Sequence, residues 1–183
     1  FWDCNPYAIS QIGHLEFGLK KISPGGHWIG ITGIACKKAR FALEKTIFTH
    51  TIIAISLHDA FVACWDEKYR SDRIRPETVI NRYIDKTWNP LLQTPPFPEY
   101  VSGHSVVSTS SAEILSIIFG EKFSFRDITE KEYGLKTRKY TSFKQAAEEA
   151  CISRLYGGIH YMDAIIEGEW QGRAVAQFIY QKT

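Results

Sequence analysis

The sequence predicts an all-α fold, a helical bundle, on three observations. The stretch FALEKTIFTHTIIAISLHDAFVACWDEKYR, residues 41–70, has neither Gly nor Pro, and its apolar positions are too dense for an ordinary surface helix. Serines or prolines stand where further helices would start, at Ser23–Pro24, Pro76, Ser102 and Ser142. No run alternates as a half-buried strand does, and no internal repeat is found.

Taken in order, the opening from FWDCNPYAIS to LKKISPGGHW is aromatic and punctuated by Gly and Pro, which predicts irregular turns around one short helix. Ser23 offers an N-cap before Pro24, with helix resuming near Trp28. Residues 41–70 then form a long, mostly buried central helix. Pro76 suits the first turn of a helix in PETVINRYIDK. The segment TWNPLLQTPPFPEY carries four prolines and predicts a rigid, extended loop leading into Ser102. HSVVSTSSAEILSIIFG is helical, its small serines allowing a neighbour to approach closely, with Gly120 as C-cap. Residues 121–142 are polar and charged, a surface excursion. Ser142 caps the helix SFKQAAEEACISRLYGG, and HYMDAIIEGEWQGRAVAQFIYQ closes the chain as the last helix.

With 183 residues, 44% of them hydrophobic and 14% aromatic, the chain can bury one sizeable core, so residues 1–183 read as a single helical catalytic domain. Its start at Phe1 fits the C-terminal core of a longer chain, and no leader resembling a signal peptide precedes it. Lys and Arg number 22 against 20 acids, a net charge of +2, so bulk charge implies neither a nucleic acid nor an anionic membrane as partner. Cys4, Cys36, Cys64 and Cys151 are far apart and form no CxxC pair, which argues against zinc and leaves a disulfide open. Purely apolar runs such as IIAI are far shorter than the roughly 18 residues of a spanning helix, so no membrane span is expected and the chain reads as soluble.

Three clusters carry chemistry. In WDEKYRSDRIRP, Lys68 and Arg75 stand seven residues apart, with a turn expected before Pro76. In PEYVSGHSVV, Ser102 can cap the helix, Gly103 lets backbone approach a ligand, and His104 sits where unpaired N–H groups face an anion. In SRLYGGIHYMD, the Gly157–Gly158 break lets Arg154 and His160 converge, and Asp163, one turn after His160, could accept its ring N–H. Each segment alone also reads as ordinary helix-end chemistry. Together they offer three cations, small hydrogen-bond donors and two imidazoles, an inventory that fits a tetrahedral oxyanion and its five-coordinate transition state.

Lys68-x6-Arg75-Pro76, Ser102-Gly103-His104 and Ser153-Arg154-x5-His160 resemble the three-part signature shared by vanadium-dependent haloperoxidases and the type 2 phosphatidic acid phosphatase or bacterial acid phosphatase superfamily. The resemblance spans residues 65 to about 175 and implies that superfamily's helix-bundle core. Trp65 and Phe97 flank the motifs as in the haloperoxidase branch, where such aromatics line the halide side, although plain core packing explains them equally well. The resemblance implies that His160 is the ligand of vanadate or the nucleophile of a phosphohistidine. It implies that His104 is the acid–base group and that Lys68, Arg75, Ser102, Gly103 and Arg154 hold the nonreacting oxygens. Two positions depart from the pattern. Val101 stands where proline is usual, and the aspartate that the phosphatase pattern places four residues after the histidine is replaced by Ala164, with Asp163 one position earlier as the substitute.

The implied function is oxidation of a halide by hydrogen peroxide with vanadate as cofactor. The same cage suits a phosphomonoesterase that acts on phosphate esters without a cofactor, or a catalytically silent oxyanion-binding domain. The resemblance also implies an exported or periplasmic location. Neither the halide or ester nor the oligomeric state is legible.

Overall fold

A computed structural model describes residues 1–3, 8–11, 14–17 and 22–182. Cys4 and much of the segment predicted to hold a short N-terminal helix lie outside the described residues. What is described there is instead a strand pair, β1 (Ala8–Gln11) antiparallel to β2 (His14–Phe17), with Ala8 opposite Phe17.

Local chemistry sets the helix starts. Ser23 Oγ accepts from the Gly26 N–H at 3.2 Å and Pro24 occupies the first turn, so α1 (Pro24–Ala39) begins four residues before the predicted Trp28. α2 (Leu43–Ser71) ends where Asp72 turns left-handed, at φ 46°. Pro76 opens α3 (Pro76–Tyr83), as predicted. Ser102 Oγ accepts from Ser105 N–H at the start of α4 (Gly103–Phe119), which Gly120 terminates at φ 95°. Ser142 caps α5 (Phe143–Tyr156), and α6 (Met162–Tyr180) closes the bundle.

The long helix α2 is not the centre. Its buried side, including Ile52, Ile53, Leu57, Ala60 and Cys64, faces α1, α4 and α6, but Phe48, Ile55, Val62 and Tyr69 repeat every seven residues on an exposed face. Apolar density in the sequence does not distinguish a helix buried all round from one with two apolar faces. The helical run Leu43–Tyr83 is, among the described residues, the one long and apolar enough by composition to cross a membrane, and within the bundle one face of it is core. The central helix is α4, which packs against α1, α2, α5 and α6 and buries most of its length. Its serines make this possible by being small, and two of them pair with neighbouring helices. Trp28 Nε1 donates to Ser108 Oγ at 3.0 Å, and the Ser56 and Ser110 hydroxyls meet at 2.6 Å. The hydrophobic core around it draws on Trp28, Ile53, Val107, Leu115 and Phe143.

Residues 121–142 are not a mere surface excursion. β3 (Phe125–Asp127) pairs antiparallel with β4 (Arg138–Tyr140), burying Phe125 and Tyr140 toward Phe143. Buried Asp127 Oδ2 meets His27 Nε2 of α1 at 2.7 Å, tying the hairpin to the bundle. The polar residues that suggested an excursion are largely its outward side. Cys36, Cys64 and Cys151 are buried free thiols, and burial pushes Cys64 up to about 11.

Glycines set the distance between α4 and α6. A Cβ on Gly172 would lie 2.5 Å from the Val106 carbonyl oxygen and one on Gly168 2.9 Å from that of Ser102. Since these obstacles are backbone, the helices must separate to admit a methyl group. Gly172→Ala is therefore expected to destabilise the protein by about 1–3 kcal/mol, read as a lower urea midpoint with unchanged slope.

Candidate active site

The proline-rich loop lacks N–H groups at Pro95, Pro96 and Pro98, so its carbonyls need donors from elsewhere. Two buried cations supply them. Lys68, in the last turn of α2, donates from Nζ to the carbonyls of Pro98 and Glu99 at 3.0 Å and of Val101 at 2.6 Å. Arg75, at the start of α3, donates from Nε to Phe97 O at 3.0 Å, from Nη2 to Pro98 O at 3.2 Å and from Nη1 to Ile159 O at 2.8 Å. Burial lowers Lys68 to about 8 and Arg75 to about 10. Val101, in place of the usual proline, is buried and joined to Tyr100 by a cis peptide.

The Gly157–Gly158 break works as predicted, since Gly158 takes φ 75° and so turns the chain out of α5. His160 follows. Its Nδ1 lies 2.6 Å from Glu99 Oε1, and its Nε2 lies 3.1 Å from Arg75 Nη1. The Glu99 side chain is fully buried and also accepts from Tyr161 N–H at 3.1 Å and from Arg73 Nε at 2.6 Å. The expectation that Asp163 accepts from His160 is corrected. Asp163 is held by Arg73 instead, through Nη1 to Oδ2 at 2.6 Å and Nη2 to Oδ1 at 2.9 Å. At the first turn of α6 its side chain points outward to that guanidinium, which lies 4.7 Å from the Tyr100 ring and 5.1 Å from the Tyr161 ring. Burial, with Arg75 and Lys68 nearby, lowers His160 to about 4 despite the Glu99 hydrogen bond. Burial would raise Glu99, but its bonds to His160 and Arg73 outweigh this and hold it below the usual carboxylate range.

The other imidazole sits at the foot of α4. His104 Nε2 lies 3.1 Å from the Trp2 carbonyl oxygen, which also accepts from Arg154 Nη2 at 3.1 Å. Burial, then the charge of Arg154, push His104 well below 6.5, so it is neutral at neutral pH. Gly103, His104, Arg154 and His160 line one cavity of about 190 Å³, and Trp65 and Phe97 form its apolar wall. Their rings are 5.1 Å apart, and Phe61, one turn before Trp65, extends the wall at 5.3 Å. Lys68 Nζ and the Arg75 guanidinium stand 5.3 and 5.1 Å from the Phe97 ring. Ser102 caps α4 and donates its N–H to Ala164 O at 2.9 Å.

Sequence reasoning missed Glu99, Arg73, Phe61 and the Trp2 carbonyl. Glu99 lies inside the quoted PEYVSGH and Arg73 inside RSDRIRP, so attention to every charged residue within the motifs could have raised them. Nothing in a side-chain pattern reports a backbone oxygen.

A bundle, with six helices among the described residues, that brings two imidazoles and Arg154 to one cavity at the foot of its central helix defines a class, the helical-bundle domains of the vanadium haloperoxidases. A family model described as the VCPO second helical-bundle domain matches residues 48–87 and 83–183, and the chain belongs to that family, on the haloperoxidase side of the superfamily. The crystal structure of a bacterial vanadium-dependent iodoperoxidase matches with 54% identity and a TM-score of 0.91, over 100% of this chain and 42% of that one. Holo-type and apo-type bacterial vanadium-dependent chloroperoxidases share the fold at 18% and 17% identity, with TM-scores of 0.66 and 0.65. These cover 84% and 86% of this chain and 41% and 42% of theirs. The chain thus spans less than half the length of these relatives. No curated protein matches it.

The two imidazoles, both held below the ordinary histidine value, make stability depend on pH. His160 is lowered from 6.5 in the unfolded chain to about 4 in the folded one, so its contribution is full above pH 6.5 and is lost as pH falls through that interval. The loss at pH 4 should be on the order of 3 kcal/mol, with His104 adding in the same direction. Urea midpoints measured between pH 7 and 4 should fall steeply in the wild type and less in His160→Asn.

Proposed function

We propose that this chain holds vanadate at His160 and with it catalyses oxidation of a halide by hydrogen peroxide, X⁻ + H₂O₂ + H⁺ → HOX + H₂O. The observation that supports this most is the convergence of Gly103, His104, Arg154 and His160 on one cavity walled by Trp65 and Phe97, in a chain 54% identical to a bacterial iodoperoxidase structure. The donor set suits such a group. It offers guanidinium and imidazole nitrogens, a glycine whose missing side chain leaves the cavity open beside Trp65, and a carboxylate, Glu99, already matched by Arg73 and His160. These are partners for a tetrahedral anion rather than for a bare cation.

Bound there, vanadate would supply an electron-poor centre that takes up hydrogen peroxide and makes its oxygen reactive toward halide. The chain's residues do the rest. His160 would offer its Nε2 lone pair to the bound group, and Arg154, Gly103 and Ser102, with Lys68 and Arg75, would hold its outer oxygens. His104 donates Nε2–H to the Trp2 carbonyl, which orients its ring, and would be the group that takes and returns the peroxide proton. An anion beside it raises its proton affinity into a useful range. The aromatic wall presents ring edges, positive in their quadrupole, to a soft and weakly hydrated halide such as iodide.

Assay of the full polypeptide tests this. Iodide oxidation should require both peroxide and vanadate, His160→Ala should abolish it with helix content intact, and His104→Ala should lower it by about 10²–10⁴-fold. Phosphoester cleavage without vanadate, inhibited by vanadate, would replace this reading with a phosphohistidine phosphatase. Tight phosphate binding without any turnover would leave an oxyanion-binding domain.

A further inference from the structure

We propose that Glu99 is the positioning residue of His160, fixing its imidazole as the Nδ1–H tautomer so that Nε2 faces the oxyanion site, and that Arg73, clamped by Asp163, holds Glu99 in register. The inference deepens the proposed function and rests on it for the role of Nε2.

Three hydrogen-bond donors converge on one carboxylate. Oε1 receives His160 Nδ1 at 2.6 Å and Tyr161 N–H at 3.1 Å, while Oε2 receives Arg73 Nε at 2.6 Å, with Nη2 beside it in the ion pair at 2.5 Å. An ionised carboxylate only accepts, so Nδ1 carries the proton. Arg75 Nη1 reaches Nε2 at 3.1 Å, and a guanidinium only donates, so Nε2 carries the lone pair. Two independent partners on opposite sides of the ring therefore require one tautomer, the one able to bond an electrophilic centre through Nε2. Glu99 in turn is held by Arg73, whose guanidinium lies near the Tyr100 and Tyr161 rings and whose fork is closed by both oxygens of Asp163. The acid near His160 in sequence thus acts at two removes, through Arg73 and then Glu99.

Glutamine at position 99 breaks this logic without changing size. An amide oxygen satisfies either Arg73 or the His160 and Tyr161 N–H groups, never both. The charged guanidinium takes it, since charge-assisted bonds are the stronger. The amide NH₂ then faces Nδ1 and opposes the Nδ1–H tautomer, leaving Arg75 alone to favour it, so the Nε2–H form, which closes Nε2 to the anion, becomes populated.

The test is made on the full polypeptide at neutral pH, labelled with ¹⁵N-histidine, with His160 assigned by the signal lost in His160→Asn. The wild type should show His160 with Nδ1 protonated and Nε2 bare before any vanadate is added. Glu99→Gln should shift at least half of His160 to Nε2–H and weaken vanadate binding, read by equilibrium dialysis, by about 10–100-fold, the usual cost of removing an outer-shell partner of a ligating histidine. Asp163→Asn should leave the tautomer in place and cost less than about threefold in affinity, because the Glu99 contact survives. A wild-type His160 found as Nε2–H overturns the proposal even if Glu99→Gln does not fold. So does a folded Glu99→Gln protein with unchanged tautomer and affinity. Should the wild type bind no vanadate at all, the haloperoxidase reading falls, while the nitrogen spectrum still decides what Glu99 does.

Discussion

The site depends on a loop that cannot satisfy its own backbone. Three prolines between residues 95 and 98 remove the donors that would pair nearby carbonyls, and Lys68 and Arg75 supply the missing bonds from the ends of two helices. An uncompensated buried carbonyl costs about 1–3 kcal/mol, so the loop holds its course only while both cations remain. That course sets Phe97 against Trp65, brings Glu99 to His160 and delivers Ser102 to the start of α4.

The same cations would neutralise an oxyanion, so structural and chemical demands meet in the same N–H groups. Lys68 offers three donors and all three reach loop carbonyls. Binding an anion therefore means exchanging one good acceptor for a stronger one rather than filling an idle site. Burial has already lowered the proton affinity of Lys68, and a nearby negative charge would restore it.

Much of the fold was legible because helix punctuation is local. Ser23, Pro76, Ser102, Ser142 and Gly120 act within a few residues of themselves, and each stands where the sequence placed it. Which helix lies at the centre was not legible. α2 is the longer helix and carries two apolar faces, whereas α4 is interior because its serines are small enough to be surrounded. The site divides in the same way. Gly103, His104, Arg154 and His160, singled out from their motifs, and Trp65 and Phe97, singled out by the family resemblance, all line one cavity. Asp163 was paired with His160 by helical spacing alone, but the ring is oriented by a carboxylate 61 positions away in sequence. Long-range pairing of this kind leaves no periodic trace.

The Trp2 carbonyl has a consequence of its own. A main-chain oxygen survives every side-chain replacement, so a scan that swaps each residue for alanine would pass over the group that orients both His104 and Arg154. Its contribution is written in the path of the polypeptide rather than in the identity of any amino acid. Replacing the amide by an ester, a weaker acceptor of the same shape, is the kind of chemical surgery that reaches it.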